Sequence, residues 1–290
     1  MFRKLIPLAI AIALGVTGAG GRGDDKKVES DPNATFTIKL RQEQAGDKRE
    51  ASVTETSRAE VTLADKTSKQ KDEKRFVCIE HIIDMPAKTT KPTKLTREYK
   101  TAQKFDEKAN AFKATSYEGK TVTIEKKGTA YEFTVEGKKL ELPDSVDFNN
   151  EFNKGNKDRI EAMLPKKAVK VGESWPIDPE AVKSLGSEIP FDATKSKMTG
   201  KLTGAYTKDG KQWGIIAFDF DLVVASPEKA KQSVSGTIKI NGTLDAVIDG
   251  TASEGTMKTT IKMNVISKEG GGELKIVADM TQEKTIKTVK

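Results

Sequence analysis

Apolar and polar residues alternate with period two along most of this chain. Phe36, Ile38 and Leu40 alternate with polar neighbours, as do Ala59, Val61 and Leu63. Val122 and Ile124, then Tyr131, Phe133 and Val135, repeat the pattern. A period of two puts the apolar side chains on one face of a strand. Turn signals separate these runs at Ala45-Gly46-Asp47, Glu118-Gly119, Lys127-Gly128 and Glu136-Gly137. Their regular spacing predicts a meander of hairpins in an antiparallel sheet with one solvated face.

The alternation lengthens after Met198. Met198, Gly200, Leu202, Gly204 and Tyr206 share one phase, and Ile216, Phe218, Phe220, Leu222 and Val224 share another. The run from Val234 to Ile248 carries Ile238, Ile240 and Leu244, with Gly236 and Gly242 between them. Met257, Ile261, Met263 and Val265 follow, then Leu274, Ile276, Ala278 and Met280. Turns are expected at Lys208-Asp209-Gly210, Asp249-Gly250 and Gly270-Gly271-Gly272. Long alternating strands dotted with glycine suit a strongly curved sheet. The predicted fold class is mainly β: curved antiparallel sheets of meander or half-barrel type, in two halves joined by a short helical connector. Whether the halves share one sheet is left open by the pattern.

Between the halves the period changes. Asp144 to Leu164 reads as helix: Phe148 and Phe152 stand four apart, and Ile160, Met163 and Leu164 continue the apolar face. Gly155 is expected to divide it into two short helices. Pro165 stops the pattern. Val169 and Val171 then oppose Ala168, Lys170 and Gly172, which predicts a short strand, and Gly172 permits a turn. Trp175 precedes Pro176 and is therefore biased to extended backbone. Asp178-Pro179-Glu180 reads as a helix start, with Gly186 placed to end that helix. Trp175 reads as a core plug, with a stacking platform for a ligand as the alternative.

Leu164, Pro165, Val169, Val171, Gly172, Glu173, Ser174 and Trp175 form an LP-x4-V-x-VGESW pattern. It resembles a signature of bacterial envelope proteins that are secreted or lipid-anchored, β-rich and without an assigned function. The resemblance implies no activity and no catalytic residues. Lipid-anchored members carry a cysteine at the end of the leader, and this chain has none there.

Met1 to Gly20 reads as a secretory signal peptide. Arg3 and Lys4 precede the apolar stretch Leu5–Val16, which is too short to span a bilayer, and Thr17 and Ala19 fit the small-x-small rule. Cleavage near Ala19 and export to the periplasm or the medium are expected. No later apolar run has membrane length. The predicted divisions are 1–20 signal peptide, 21–33 disordered tether, 34–142 N-terminal β half, 143–190 connector and 191–290 C-terminal β half.

The chain carries 50 Lys and Arg against 43 Asp and Glu, a net charge of +7. Part of the excess is local, in the segment from Asp65 to Lys104. Such a patch attracts polyanions. Lysine along a strand also resists edge pairing, which is the simpler reading. Arginine and interleaved aromatics are not enriched, so no nucleic-acid partner is expected.

Catalytic chemistry finds little support. A single histidine, His81, argues against triads and histidine metal sites. The single cysteine, Cys78, sits in the apolar run Phe76-Val77-Cys78-Ile79 and faces away from His81 on a strand. Asp219 and Asp221 share a strand face and read as solubilising rather than as a calcium or glycosidase pair. Neither an enzyme, a cofactor nor a metal is expected. The expectation is an exported, non-catalytic envelope protein whose curved sheet encloses a lipid-like or other apolar ligand. The residues assigned to that pocket are Ile238, Ile240, Leu244, Met257, Ile261 and Met263, under a lid of Phe148, Phe152 and Trp175. The alternative is a structural or interaction β-protein with a fully packed core and no small-molecule ligand. Protein partners are not legible.

Overall fold

The computed structural model describes residues 28–31, 33–63, 66–87, 89, 91–154, 160–183, 190–226, 233–269 and 272–289. The predicted leader, Gly155, Gly186 and the Gly270-Gly271 turn lie outside the described residues. The strands, in chain order, are β1 (Val28–Glu29), β2 (Thr35–Phe36), β3 (Lys48–Leu63), β4 (Lys66–Asp84), β5 (Lys94–Asp106), β6 (Ala111–Ala114), β7 (Thr121–Lys127) and β8 (Ala130–Val135). They continue as β9 (Lys138–Lys139), β10 (Val169–Lys170), β11 (Ser174–Pro176), β12 (Lys197–Lys208), β13 (Lys211–Val224), β14 (Ser233–Val247), β15 (Gly255–Glu269) and β16 (Gly272–Thr288). Two α-helices, α1 (Ser145–Phe148) and α2 (Pro179–Lys183), lie in the connector.

The fold is mainly β, and its strand pairs are antiparallel. One 14-stranded sheet runs β1-β12-β13-β14-β15-β16-β3-β4-β5-β7-β8-β9, with β11 added on β12 and β6 on β5. It is not closed into a barrel. The two halves share this sheet, because β16 pairs with β3 from Leu274↔Leu63 to Thr288↔Arg49. Within each half the long strands pair in chain order, β12 to β16 in one and β3 to β5 in the other, with β7 and β8 continuing from β5. At Asp209-Gly210 both φ angles are positive (52° and 70°), the hairpin geometry that Asp-Gly favours.

The inner face of the sheet carries two apolar clusters. The larger joins β12–β16 to Trp175, Ile177, Val182 and Phe191 of the connector and to Phe36 and Ile38 of the N-terminal segment. The smaller joins Leu95, Tyr99, Val122, Ile124 and Phe133 to Phe148 and Phe152. A third, small cluster of Tyr206, Trp213 and Val247 stands apart.

Three expectations change. The alternation predicts Gly204 and Tyr206 in phase with Leu202, but a bulge between Leu202 and Gly204 shifts the register. Ala205 therefore joins the larger cluster and Tyr206 the small one. Among the described residues of the predicted helix over 144–164, only Ser145–Phe148 is α-helical; Asn149–Lys154 widens to a π-helical turn and Ile160–Met163 is 3-10. There Asn149 Nδ2 donates to the Ser145 carbonyl at 2.9 Å and Asn153 is held against β8, so side chains compete with a regular α ladder. The end of the predicted tether is ordered: Val28 and Glu29 pair with Thr207 and Tyr206 of β12.

The motif stretch folds as its residues dictate. Gly172 has φ +89°, and Glu173 Oε2 accepts from the Lys170 amide at 2.9 Å. Trp175 is then set opposite Gly200 in register. A Cβ on Gly200 would lie 2.4 Å from the indole Cε2, so only glycine admits the ring. The indole Nε1 donates to the Met163 carbonyl at 2.8 Å. Trp175→Ala is expected to cost about 3–5 kcal/mol, as large aromatic truncations do, and Gly200→Ala about 1–3 kcal/mol from overpacking. In the Trp175→Ala background Gly200→Ala should add almost nothing, because its clash is gone. Urea unfolding of the three variants checks this; additive costs would refute the contact.

Candidate functional site

The residues predicted to line a pocket are brought together. Ile238, Ile240, Leu244, Met257, Ile261, Met263 and Trp175 all belong to the larger cluster. Their exposure is uniformly low: Leu244 0%, Ile238 1%, Met257 2%, Ile240 3%. A void large enough for a lipid chain would leave its walls accessible to a water-sized probe, so these side chains are in contact with neighbours. Phe148 and Phe152 do not join them. They sit in the smaller cluster, where Phe148 lies 5.3 Å from Tyr117 and 5.4 Å from Phe133 between ring centroids. The expected three-aromatic lid is therefore split, with Trp175 over one cluster and the phenylalanines over the other.

What separates the clusters is polar. One row of register partners crosses the sheet: Trp175, Gly200, Phe218, Gly242, Thr259, Gln282, Glu55, Lys74 and Lys104. Its first half is aromatic and glycine; from Thr259 on it is polar. Glu55 accepts from Gln282 Nε2 at 2.7 Å and pairs with Lys74 at 2.9 Å. Asp147 of α1 reaches both Lys74 (3.4 Å) and Lys104 (2.9 Å). Burial opposes the Lys74 charge, but Glu55 and Asp147 hold its ammonium above the ordinary range.

A second polar row, Arg49–Glu80–Arg97, runs across β3, β4 and β5. Arg49 Nε and Arg97 Nε each donate to Glu80 at 2.7 Å, one to each carboxylate oxygen. Arg49 also pairs with Glu43, and Arg97 forks onto Glu151 at 2.6 and 2.7 Å. Burial opposes the charge on Glu80, yet Arg49 and Arg97 hold its carboxyl well below the usual range. Burial likewise opposes Glu151, and Arg97 lowers it. Lys284 stands in the same field: burial pushes its ammonium down, Glu151 partly offsets this, and Arg49 and Arg97 add to the lowering.

This arrangement is a clamp. Glu151 comes from the connector and Arg97 from the sheet, so the network fixes one on the other. The pairs leave the Arg49, Glu80 and Arg97 charges compensated inside the fold, with Glu151 closing the network at the surface. Cys78 beside it is buried, and burial pushes its thiol up to about 12, so it stays a neutral thiol rather than a nucleophile near pH 7. The sequence reading missed this network. Its one local signal is Glu80 itself, an acid in phase with Cys78 and Ile82 inside an apolar run. Arg49 and Arg97 lie 31 and 17 residues from Glu80 along the chain, and Glu151 lies 54 from Arg97.

Other candidates are at the surface. Asp221 pairs with Lys239 at 3.0 Å and Asp219 accepts from Asn241 at 3.0 Å, both exposed. Among the described residues no group of three metal-ligating side chains forms, and no helix is long and apolar enough to cross a membrane. An open polar cleft of about 490 Å³ is lined by Gln42, Glu43, Gln44, Met85, Pro86 and Thr89, away from every predicted pocket residue.

No family model matches the chain, and no curated protein matches it. Among solved structures, a loop-deletion mutant of OmpT, an outer membrane protein of Vibrio cholerae, is 9% identical at a TM-score of 0.22, covering 83% of this chain and 100% of that one. OccAB4 of Acinetobacter baumannii is 7% identical at 0.22, covering 85% and 99%. An outer membrane channel from Pseudomonas putida F1 is 9% identical at 0.22, covering 89% and 100%. Likenesses of this size carry no inference about function.

The clamp sets a pH dependence. Glu80 and Glu151 have folded pKa values depressed below the unfolded value of about 4.3. Their stabilisation is therefore complete above that pH and is lost as pH falls below it. The urea midpoint should drop between pH 5 and pH 3. Glu80→Gln, which leaves Arg49 and Arg97 poorly compensated, is expected to cost about 3–5 kcal/mol at pH 7 and to flatten the acid limb. An unchanged acid limb in that variant would show that Glu80 is not the titrating group.

Proposed function

We propose that this chain is an exported, non-enzymatic envelope protein that acts through contact, with its curved sheet serving as a solid scaffold. The observation that carries this reading is the filling of the inner face. Leu244, Ile238, Met257 and Ile240 have almost no accessible surface, and Trp175 closes on Gly200 with no space to spare. Of the two readings the sequence left open, filling favours the packed one over an enclosed lipid-like ligand. The buried ions support a structural role too, because Arg49, Glu80 and Arg97 neutralise one another. Export rests on the charged start, short apolar stretch and small residues of the leader, and an envelope location is consistent with the VGESW resemblance.

The test is ligand binding. A fluorescent fatty-acid analogue titrated into purified protein should show no saturable signal. Ile240→Trp, which would merely block a pocket, should instead destabilise the fold by about 1–3 kcal/mol because it overfills a packed core. Saturable binding that Ile240→Trp abolishes without loss of stability would overturn the scaffold reading in favour of a lipid carrier. Intact-mass measurement of exported protein checks the leader: the mass should lack the residues up to about Ala19.

A further inference from the structure

Among the described residues the edges of the sheet are covered by the chain itself, apart from the short strands β6 and β9, each paired on one side only, and one longer exception. On β12, β1 covers Thr207 and Tyr206, and β11 covers Lys201 to Thr199. Between them the Leu202 carbonyl and amide bond Gly172 and Glu173, and the Ala205 carbonyl accepts from Ser30. On β8, Lys138 and Lys139 pair with Val135 and Thr134, and the Leu140 amide donates to Phe133. Asn153 completes that edge by imitating a strand: its Oδ1 accepts from the Tyr131 amide at 2.6 Å and its Nδ2 donates to the Tyr131 carbonyl at 3.1 Å.

The exception is the first part of β4. Lys66 to Glu73 pairs with β3 on one side, and β5 meets β4 only from Lys74 onward. Lys66, Thr67, Ser68, Lys69 and Gln70 are exposed in sequence, so neither face of this stretch is covered. The Lys71 amide points away from β3, since it donates to Glu107 Oε1 at 2.7 Å. By the period of two, the amides and carbonyls of Thr67, Lys69 and Glu73 point the same way. Among the described residues nothing pairs with that side of Thr67 and Lys69.

The side chains select what can pair there. A second copy is disfavoured. Antiparallel two-fold pairing must set outward-facing residues against each other. The two registers with longest overlap, centred on Lys69 and on Gln70, then place Lys69 against the second copy's Lys69 or Lys71, like charges directly opposed. An acidic strand meets the reverse situation. Lys66 and Lys69 stand at its hairpin end, with Arg58 and Lys71 register neighbours on the pair beside them. The existing pair of Lys69 to Glu60 is long (3.6 Å) and exposed on both sides, so it exchanges readily.

We propose that Lys66–Lys71 of β4 is an interaction edge that accepts an extended, acidic polypeptide segment of another protein by strand addition. This rests on the scaffold reading, to which it adds the surface and the chemistry of the partner. Main-chain hydrogen bonds from Thr67 and Lys69 supply the pairing, and Lys66 and Lys69 supply the preference for acid, Lys71 being already paired with Glu73 at 2.6 Å.

The experiment uses the full chain and two labelled peptides of equal charge, one alternating glutamate with threonine, one alternating glutamate with proline. The first can pair as a strand; the second lacks alternate amides. The Glu-Thr peptide should bind saturably and more weakly as salt rises. Thr67→Pro keeps every charge and leaves the main-chain bonds to β3 in place, because its outward amide is the one removed; only the exposed hydroxyl contact to Thr62 (3.0 Å) is lost. It should leave the melting temperature nearly unchanged and weaken the peptide by about tenfold or more. Lys69→Glu should weaken it similarly. Equal binding of the Glu-Pro peptide, or no effect of Thr67→Pro, would reduce the edge to general attraction for polyanions and overturn the proposal. Absence of Glu-Thr binding, or dimerisation of the free protein through this edge, would overturn it as well. The fatty-acid titration fails or succeeds independently, so loss of the scaffold reading is distinguishable from loss of the edge.

Discussion

Everything in this fold depends on β16 lying along β3. The pairing joins the last strand of the chain to the first long one over their whole lengths, from Leu274↔Leu63 to Thr288↔Arg49. Without it there would be two hairpin meanders, each with a long bare edge. With it there is one surface on which residues from the two halves become neighbours in register. The contact is also the longest in sequence separation, so loop-closure entropy opposes it and it must be repaid by the burial it completes. Ile286 shows what is completed: a residue near the C-terminus that is 1% exposed inside the cluster of the first half.

The joined surface explains why the core is divided. Along the Trp175-to-Lys104 row the side chains turn from aromatic and glycine to polar at Thr259, and in the adjacent row Met257 is followed by Lys284. Apolar residues cannot be continuous across that band, so two clusters form, each covered by its own piece of the connector. The larger takes Trp175 and Val182, the smaller takes Phe148 and Phe152. The buried ions lie where the connector passes over the band. Buried pairs give little net stability over an apolar filling, but leaving one partner alone is costly. Such a network therefore fixes where the connector sits more than it adds to the folding free energy. The same fixed geometry leaves β4 exposed beyond β5, because the β5–β6 hairpin ends short of the β3–β4 hairpin.

Much of this was written locally. Period-two alternation gave the strands of the second half, their inner faces and the hairpin β7–β8, because side-chain direction along a strand follows from backbone geometry alone, whereas β4 and β5 were read only as a charged segment. Ile216, Phe218, Phe220 and Leu222 fall on the inner face for that reason, and the Asp178-Pro179-Glu180 helix start is likewise local, with the Glu180 amide bonded to Asp178 Oδ1 at 2.9 Å. Trp175 as a plug followed from the glycine turn and the proline that fix its backbone. The lysine-rich segment was legible as a charged run, although not that its first residues, Lys66 to Gln70, lie exposed on β4 beyond the reach of β5.

Tertiary structure alone decided the rest. Alternation cannot reveal a bulge, so Tyr206 fell on the wrong face in the sequence pattern. It cannot say whether two strand sets share a sheet, since strand pairing is set by contacts far apart in sequence. It grouped Phe148 and Phe152 with Trp175 because all three lie in the connector, whereas the polar band places them over different clusters. Arg49, Arg97 and Glu151 each look like ordinary solvated charges in sequence, and only Glu80, set in an apolar run, hints otherwise. They become one network only because three neighbouring strands and one turn of the connector bring them to the same place, where the charges of Arg49, Glu80 and Arg97 are buried together and Glu151 meets them at the surface.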